Sequence, residues 1–136
     1  MGKGVALTEG RKNCQLNIDL LYPAGFQYSV FSADYRGYVA IDKGVTGIQK
    51  STYYFSGQTA QSSTQTTWTG PLSKDYLIHD EAVSVSAVLS PCGAEGLLNI
   101  NSQVRLSGAS GLNGLLTTDS VDTKFTQVLY LNWQKC

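Results

Sequence analysis

The chain contains a single histidine, His79, set in Lys74-Asp75-Tyr76-Leu77-Ile78-His79-Asp80-Glu81. Imidazole beside carboxylates is what general acid–base chemistry uses, so one reading makes His79 a base with Asp80, Glu81 or Asp75 as acid or orienting partner. Neighbouring residues on a strand point to opposite faces, however, and no Gly-x-Ser-x-Gly elbow supplies a nucleophile. A polar turn with satisfied hydrogen bonds accounts for the same residues and is the preferred reading. Metal chemistry is no better served. One histidine and three widely spaced cysteines, Cys14, Cys92 and Cys136, give none of the paired ligand spacings that zinc domains use. Asp119-Ser120-Val121-Asp122 offers two carboxylates to calcium without the glycine-containing EF-hand pattern, and a turn between strands explains it more cheaply. The expectation is therefore no metal and no cofactor.

Eight tyrosines and two tryptophans are many for 136 residues. Tyr35, Tyr38, Tyr53 and Tyr54 could form a flat aromatic surface for stacking on sugar rings or docking a protein. The alternative, preferred here, is that they populate sheets and core, since Tyr53 and Tyr54 must face opposite sides of any regular strand. The cysteines carry a compartment signal. Cys92 follows Ser90-Pro91, a strand-ending turn, and Cys136 follows the last strand, so a Cys92–Cys136 bridge is geometrically natural and would pin the carboxyl terminus. Cys14 is then the odd thiol, expected free, with its partner on a segment upstream of this chain. An unpaired edge and an exposed thiol there would favour a dimer through Cys14 or through edge pairing.

The elements that must position these residues are strands. Leu16, Ile18, Leu20 and Tyr22 alternate with mostly polar neighbours, as do Phe26, Tyr28 and Val30, then Val39 and Ile41. Residues 51–55 and 66–69 have strand composition; Val83, Val85, Ala87 and Leu89 form another run, and Leu98, Ile100, Val104 and Leu106 a further one. A last run covers 125–133, with Val128, Tyr130 and Asn132 on its second face. About eight strands separated by Gly, Pro, Asp and Ser, with no 3.6-residue period, predict an all-β fold: an antiparallel β-sandwich, jelly-roll or Ig-like, as one domain over 1–136. Residues 107–114 read as a flexible hairpin tip, because their glycines fit neither dinucleotide nor P-loop spacing. The charge-free Ser/Thr/Gln/Gly tract 56–67 reads as an exposed connection or edge strand rather than an O-glycosylated or partner-contacting segment.

Charge excludes more than it suggests. Hydrophobic residues make up 42% and charged residues 15%, with ten Lys and Arg against ten Asp and Glu. That balance removes the electrostatic footprint of a nucleic-acid binder or a polybasic membrane protein. No apolar stretch approaches the ~18 residues of a membrane span, so no membrane insertion is expected. The first nine residues, MGKGVALTE, hold neither a secretory signal nor a myristoylation pattern, which reads as a cytosolic product or a chain whose front end lies elsewhere.

Several stretches together resemble a family of small secreted proteins, mostly fungal with some bacterial members, known as domain-of-unknown-function family 4360. They are Arg11-Lys12-Asn13-Cys14, residues 25–38 (GFQYSVFSADYRGY), 51–57 (STYYFSG), Gly70-Pro71-Leu72, 75–80 (DYLIHD), Ser90-Pro91-Cys92-Gly93, 115–120 (LLTTDS) and Trp133-Gln134-Lys135-Cys136. The resemblance implies a secreted, cysteine-bridged β-protein with a signal peptide and an upstream Gly-Cys-Pro strand region, neither of which this chain carries. It therefore implies an extracellular location. The family has no established activity, so no catalytic residue carries over. The leading expectation is a non-enzymatic, effector-like interaction protein at a cell wall or host surface, with an unknown protein or glycan ligand. A polysaccharide-active hydrolase or lyase using carboxylates near His79, and a structural cell-surface protein, are the alternatives. Paired carboxylates in a groove would mark the first; a self-pairing edge strand would mark the second.

Overall fold

The computed structural model describes residues 1–81, 88–93, 95–118 and 127–136. Among them a 3-10 turn, Leu7–Gly10, precedes eight strands: β1 Arg11–Leu21, β2 Phe26–Ile41, β3 Thr46–Phe55, β4 Gln61–Thr69, β5 Leu72–Glu81, β6 Glu95–Ser107, β7 Gly114–Thr118 and β8 Gln127–Lys135. Sheet A runs β1-β6-β3-β4, and sheet B is built on β2. Along one side of β2 lies β5; along the other, β7 pairs with Gly37–Ile41 and β8 with the stretch 26–35, end to end. Every pairing is antiparallel, so the two sheets form an all-β sandwich.

Alternation drives each strand, and the inward set makes the core. Tyr28, Val30, Ala33, Tyr35, Val39 and Ile41 of β2 pack against Tyr53 and Phe55 of β3, Trp68 of β4, Tyr76 of β5, and Leu98 and Ile100 of β6. The aromatic rings meet edge to face or tilted: Tyr28 and Phe55 have centroids 5.3 Å apart, and Trp68 and Tyr76 4.6 Å. A second, polar patch is buried with them. The Tyr35 and Tyr53 hydroxyls bond each other, Thr64 Oγ1 lies 2.7 Å from the Tyr35 hydroxyl, and Ser51 Oγ meets Ser102 Oγ at 2.6 Å. Gln49 Nε2 donates to Ser51 Oγ at 3.2 Å. Burial raises the Tyr35 and Tyr53 phenols above the ordinary tyrosine value, so both stay neutral in this network.

Several expectations change. Phe26–Ile41 is one strand rather than two, because a bulge between Val30 and Ser32 lets the alternation change phase at Phe31 without ending the ladder. Lys74 to Glu81 is not a polar turn but the body of β5, held by pairing with β2 that outweighs its low strand propensity. Residues 107–114 are not a hairpin tip: β6 belongs to sheet A and β7 to sheet B, so the loop crosses between layers. Within 56–67 the stretch from Gln61 belongs to β4, which among the described residues pairs with β3 at the edge of sheet A. Of the run from Val83 to Leu89, Val83, Val85 and Ala87 lie outside the described residues, as do Phe125 and the calcium candidates Asp119 and Asp122.

Two of the three cysteines sit at the foot of β2. Cys92 and Cys136 are joined by a disulfide with Cα atoms 6.0 Å apart, and Cys14 is an exposed free thiol on β1. Gly93 N donates to Phe26 O at 2.8 Å and Cys136 N to Gly25 O at 2.9 Å, so the bridge fastens two segments that flank the first residues of β2.

Candidate functional site

Beyond the bulge the even-numbered residues of β2 face outward from sheet B. Asp34 is the register partner of His79 on β5 and of Val128 on β8, with Tyr130 one step along opposite Ser32. This register, set by strands far apart in sequence, assembles a cluster. His79 Nδ1 lies 2.5 Å from Asp34 Oδ1, and the Tyr130 hydroxyl donates to Asp34 Oδ2 at 2.7 Å. A carboxylate only accepts, so Nδ1 carries the proton of this bond, and among the described residues no group bonds Nε2. The His79 and Tyr130 rings meet edge to face at 5.3 Å, and Phe31, thrown outward by the bulge, stands 6.2 Å from the Tyr130 ring.

The cluster is open. The His79 side chain is 52% exposed and that of Asp34 26%. Hydrogen bonds from Tyr130 and then from His79 hold the Asp34 carboxyl below its ordinary value, against a smaller opposing effect of burial. The same bond to Asp34 raises the Tyr130 phenol. Because the folded-state value of Asp34 is depressed, its contribution to stability is present above the unfolded aspartate range and is lost as pH falls through the folded value. A carboxyl-carbon NMR titration is expected to place the Asp34 midpoint below that of an unperturbed aspartate. In Tyr130→Phe the midpoint should rise toward the ordinary range; an unchanged midpoint would mean that the hydroxyl does not hold the carboxylate in solution.

The residues singled out from sequence are dispersed by this arrangement. His79 does not pair with Asp80, whose side chain points between the sheets and accepts Thr66 Oγ1 on both oxygens at 2.6 Å. Asp75 and Glu81 share the outer face with His79 but are exposed and make no hydrogen bond to it. Among the described residues no hydroxyl or thiol bonds His79 as an activated nucleophile would. The four tyrosines do not form one surface. Tyr35 and Tyr53 are wholly buried, Tyr54 lies on the outer face of sheet A with its hydroxyl 3.2 Å from Gln15 Nε2, and Tyr38 lies on sheet B beside Ser73 at 2.8 Å. The residues that sequence reasoning missed are Phe31, Asp34 and Tyr130. The one available signal was a lone acid in the aromatic-rich run from Tyr28 to Tyr38, but nothing local reveals which strand lies beside it.

A depression of about 660 Å³ opens seven residues farther along β2, around Ile41, Pro71, Leu72 and Leu115. Among the described residues its lining includes one carboxylate, Asp42, where the usual glycosidase site pairs two.

A family model described as Domain of unknown function (DUF4360) matches residues 1–136. An "Uncharacterized secreted protein" of Arthroderma benhamiae is 64% identical over 137 residues, covering 100% of this chain and 56% of the relative. The chain thus spans about half the length of the curated relative it matches.

Proposed function

The chain belongs to the DUF4360 family, and from that footing we propose that it is an extracellular, non-enzymatic interaction protein that binds polysaccharide at a cell wall or host surface through the outer face of sheet B. The location rests on the 64% identical relative, which is a secreted protein by name. The observation that carries the binding reading is the open Phe31–Tyr130–His79 aromatic group around a carboxylate already held in place by two hydrogen bonds. Aromatic faces stack on the C–H faces of sugar rings, and the unused lone pairs of Asp34 and Nε2 of His79 are oriented partners for sugar hydroxyls. Groups already ordered by their neighbours lose little entropy when a ligand arrives.

A glycan array followed by calorimetry tests this. Wild-type protein is expected to retain a polysaccharide that Asp34→Ala binds about tenfold or more weakly, the cost of one hydrogen bond to a charged group. Asp75→Ala, on the same face but outside the cluster, should bind as wild type. No glycan binding, or turnover of a polysaccharide, would sink the proposal.

A further inference from the structure

β1 pairs with β6 along all eleven of its residues, and no described strand bonds its other edge. Its inner face continues that of β6, yet the core stops short of it. Leu16 is 36% and Ile18 37% exposed, while their register partners Ile100 and Leu98 are 1% and 2% exposed. A long free edge carrying exposed apolar side chains is a template for another strand.

The sequence of this edge is complementary to itself. Two copies related by a twofold axis perpendicular to the sheet pair antiparallel and keep their inner faces on one side. Period-two alternation then requires inner residues to oppose inner residues, so the axis must pass through a residue position. Four such positions lie near the middle of the strand, and centring on Asn17 sets Asp19 opposite Gln15 and carries Arg11 past the strand end, opposite Pro23, so that neither charge meets a counter-charge. Centring on Cys14 pairs only residues 11–17 of each copy and carries Asp19 past the start of the second β1, toward the 3-10 turn that holds Glu9, so Arg11 and Asp19 do not meet. Centring on Leu16 sets Arg11 opposite Leu21 and Lys12, which is paired with Glu9 of its own chain, opposite Leu20, leaving Arg11 without a counter-charge across the interface. Centring on Gln15 sets Arg11 opposite Asp19, twice by symmetry, with Asn13 opposite Asn17, Cys14 opposite Leu16 and the Lys12 stem over Ile18. Asp19 makes no hydrogen bond or ion pair among the described residues, and Arg11 holds only the exposed Gln103 side chain at 2.9 Å.

We propose that the chain forms a twofold homodimer through antiparallel pairing of β1 with β1 of a second copy, centred on Gln15, which joins the two copies of sheet A into one eight-stranded sheet. This surface is on sheet A and is independent of the glycan reading.

Sedimentation analysis of the whole chain under reducing conditions is expected to show a reversible dimer. Asp19→Arg, which sets arginine against Arg11 twice, should weaken it about tenfold, and the swap Arg11→Asp with Asp19→Arg should restore it to near wild-type strength. In a Cys14→Ser background, Gln15→Cys should oxidise to a covalent dimer, since directly opposed residues lie within disulfide reach, whereas Asn13→Cys should not. These positions are all exposed, so the variants keep the fold. A monomer at every concentration, a dimer that Asp19→Arg leaves unmoved, or cross-linking at Asn13→Cys or at native Cys14 in preference to Gln15→Cys would overturn the proposal.

Discussion

Replacing Cys92 and Cys136 together by serine is expected to lower stability by about 4 kcal/mol, since the bridge closes a loop of 44 residues and its removal returns that loop-closure entropy to the unfolded chain. The location magnifies the consequence. Ser90 N bonds Tyr28 O at 2.8 Å, Gly93 N bonds Phe26 O and Cys136 N bonds Gly25 O, so the loosened segments are those that cover the foot of β2. Tyr28, wholly buried there, contacts Tyr22, Phe55 and Trp133 through its ring. Burial, with smaller effects of Tyr22 and Asp19, pushes its phenol up to about 12. For a chain of this length 4 kcal/mol corresponds to a melting point lower by roughly 10–15 °C. Urea denaturation of the Cys14→Ser protein with and without the double replacement checks this and removes thiol exchange from the comparison. A loss under ~1 kcal/mol would show that the loop is ordered without the bridge.

The second large effect is expected at Gly37. Its register partners are Tyr76 on β5 and Thr118 on β7, and the Tyr76 ring lies across the bare glycine so that its hydroxyl donates to Thr117 O at 2.5 Å. One side chain thus spans three strands. A Cβ at position 37 would collide with the Thr117 carbonyl and with the Tyr76 ring and hydroxyl. Gly37→Ala must therefore push β7 away or swing Tyr76 out, combining an overpacking cost with loss of a half-buried hydrogen bond, about 3 kcal/mol together. Tyr76→Phe keeps the ring over the glycine and should cost only about 1 kcal/mol. Thermal unfolding of both variants decides it: a Gly37→Ala protein as stable as wild type would mean that Tyr76 does not need the empty space.

Strand existence was readable where the inward residues are apolar, as from Leu98 to Leu106. It was half readable in β3, where Tyr53 and Phe55 announce the inner face but Gln49 and Ser51 occupy the same face and look like surface residues. Ser51 is accommodated by Ser102 from another strand, and Gln49 by Ser51 in turn; a partner such as Ser102 leaves no mark on local periodicity. β5 was misread for a related reason. Its composition favours a turn, and only the ten-residue ladder with β2 makes it a strand.

The sequence by itself determined the class of fold and the family, because alternation with period two is a property of each segment alone and the matching motifs run through nearly the whole chain. It also placed Cys92 and Cys136 at strand ends, within the chain's own freedom to adjust. Only the tertiary structure decided what His79 faces. Asp34 lies 45 residues before it and Tyr130 lies 96 residues after Asp34, and they meet because β5 and β8 flank β2 in a register that the bulge at Phe31 shifts. A one-residue slip of either strand would turn those side chains to the opposite face. Register is an agreement among three strands about shared core packing, and no one of them carries it alone.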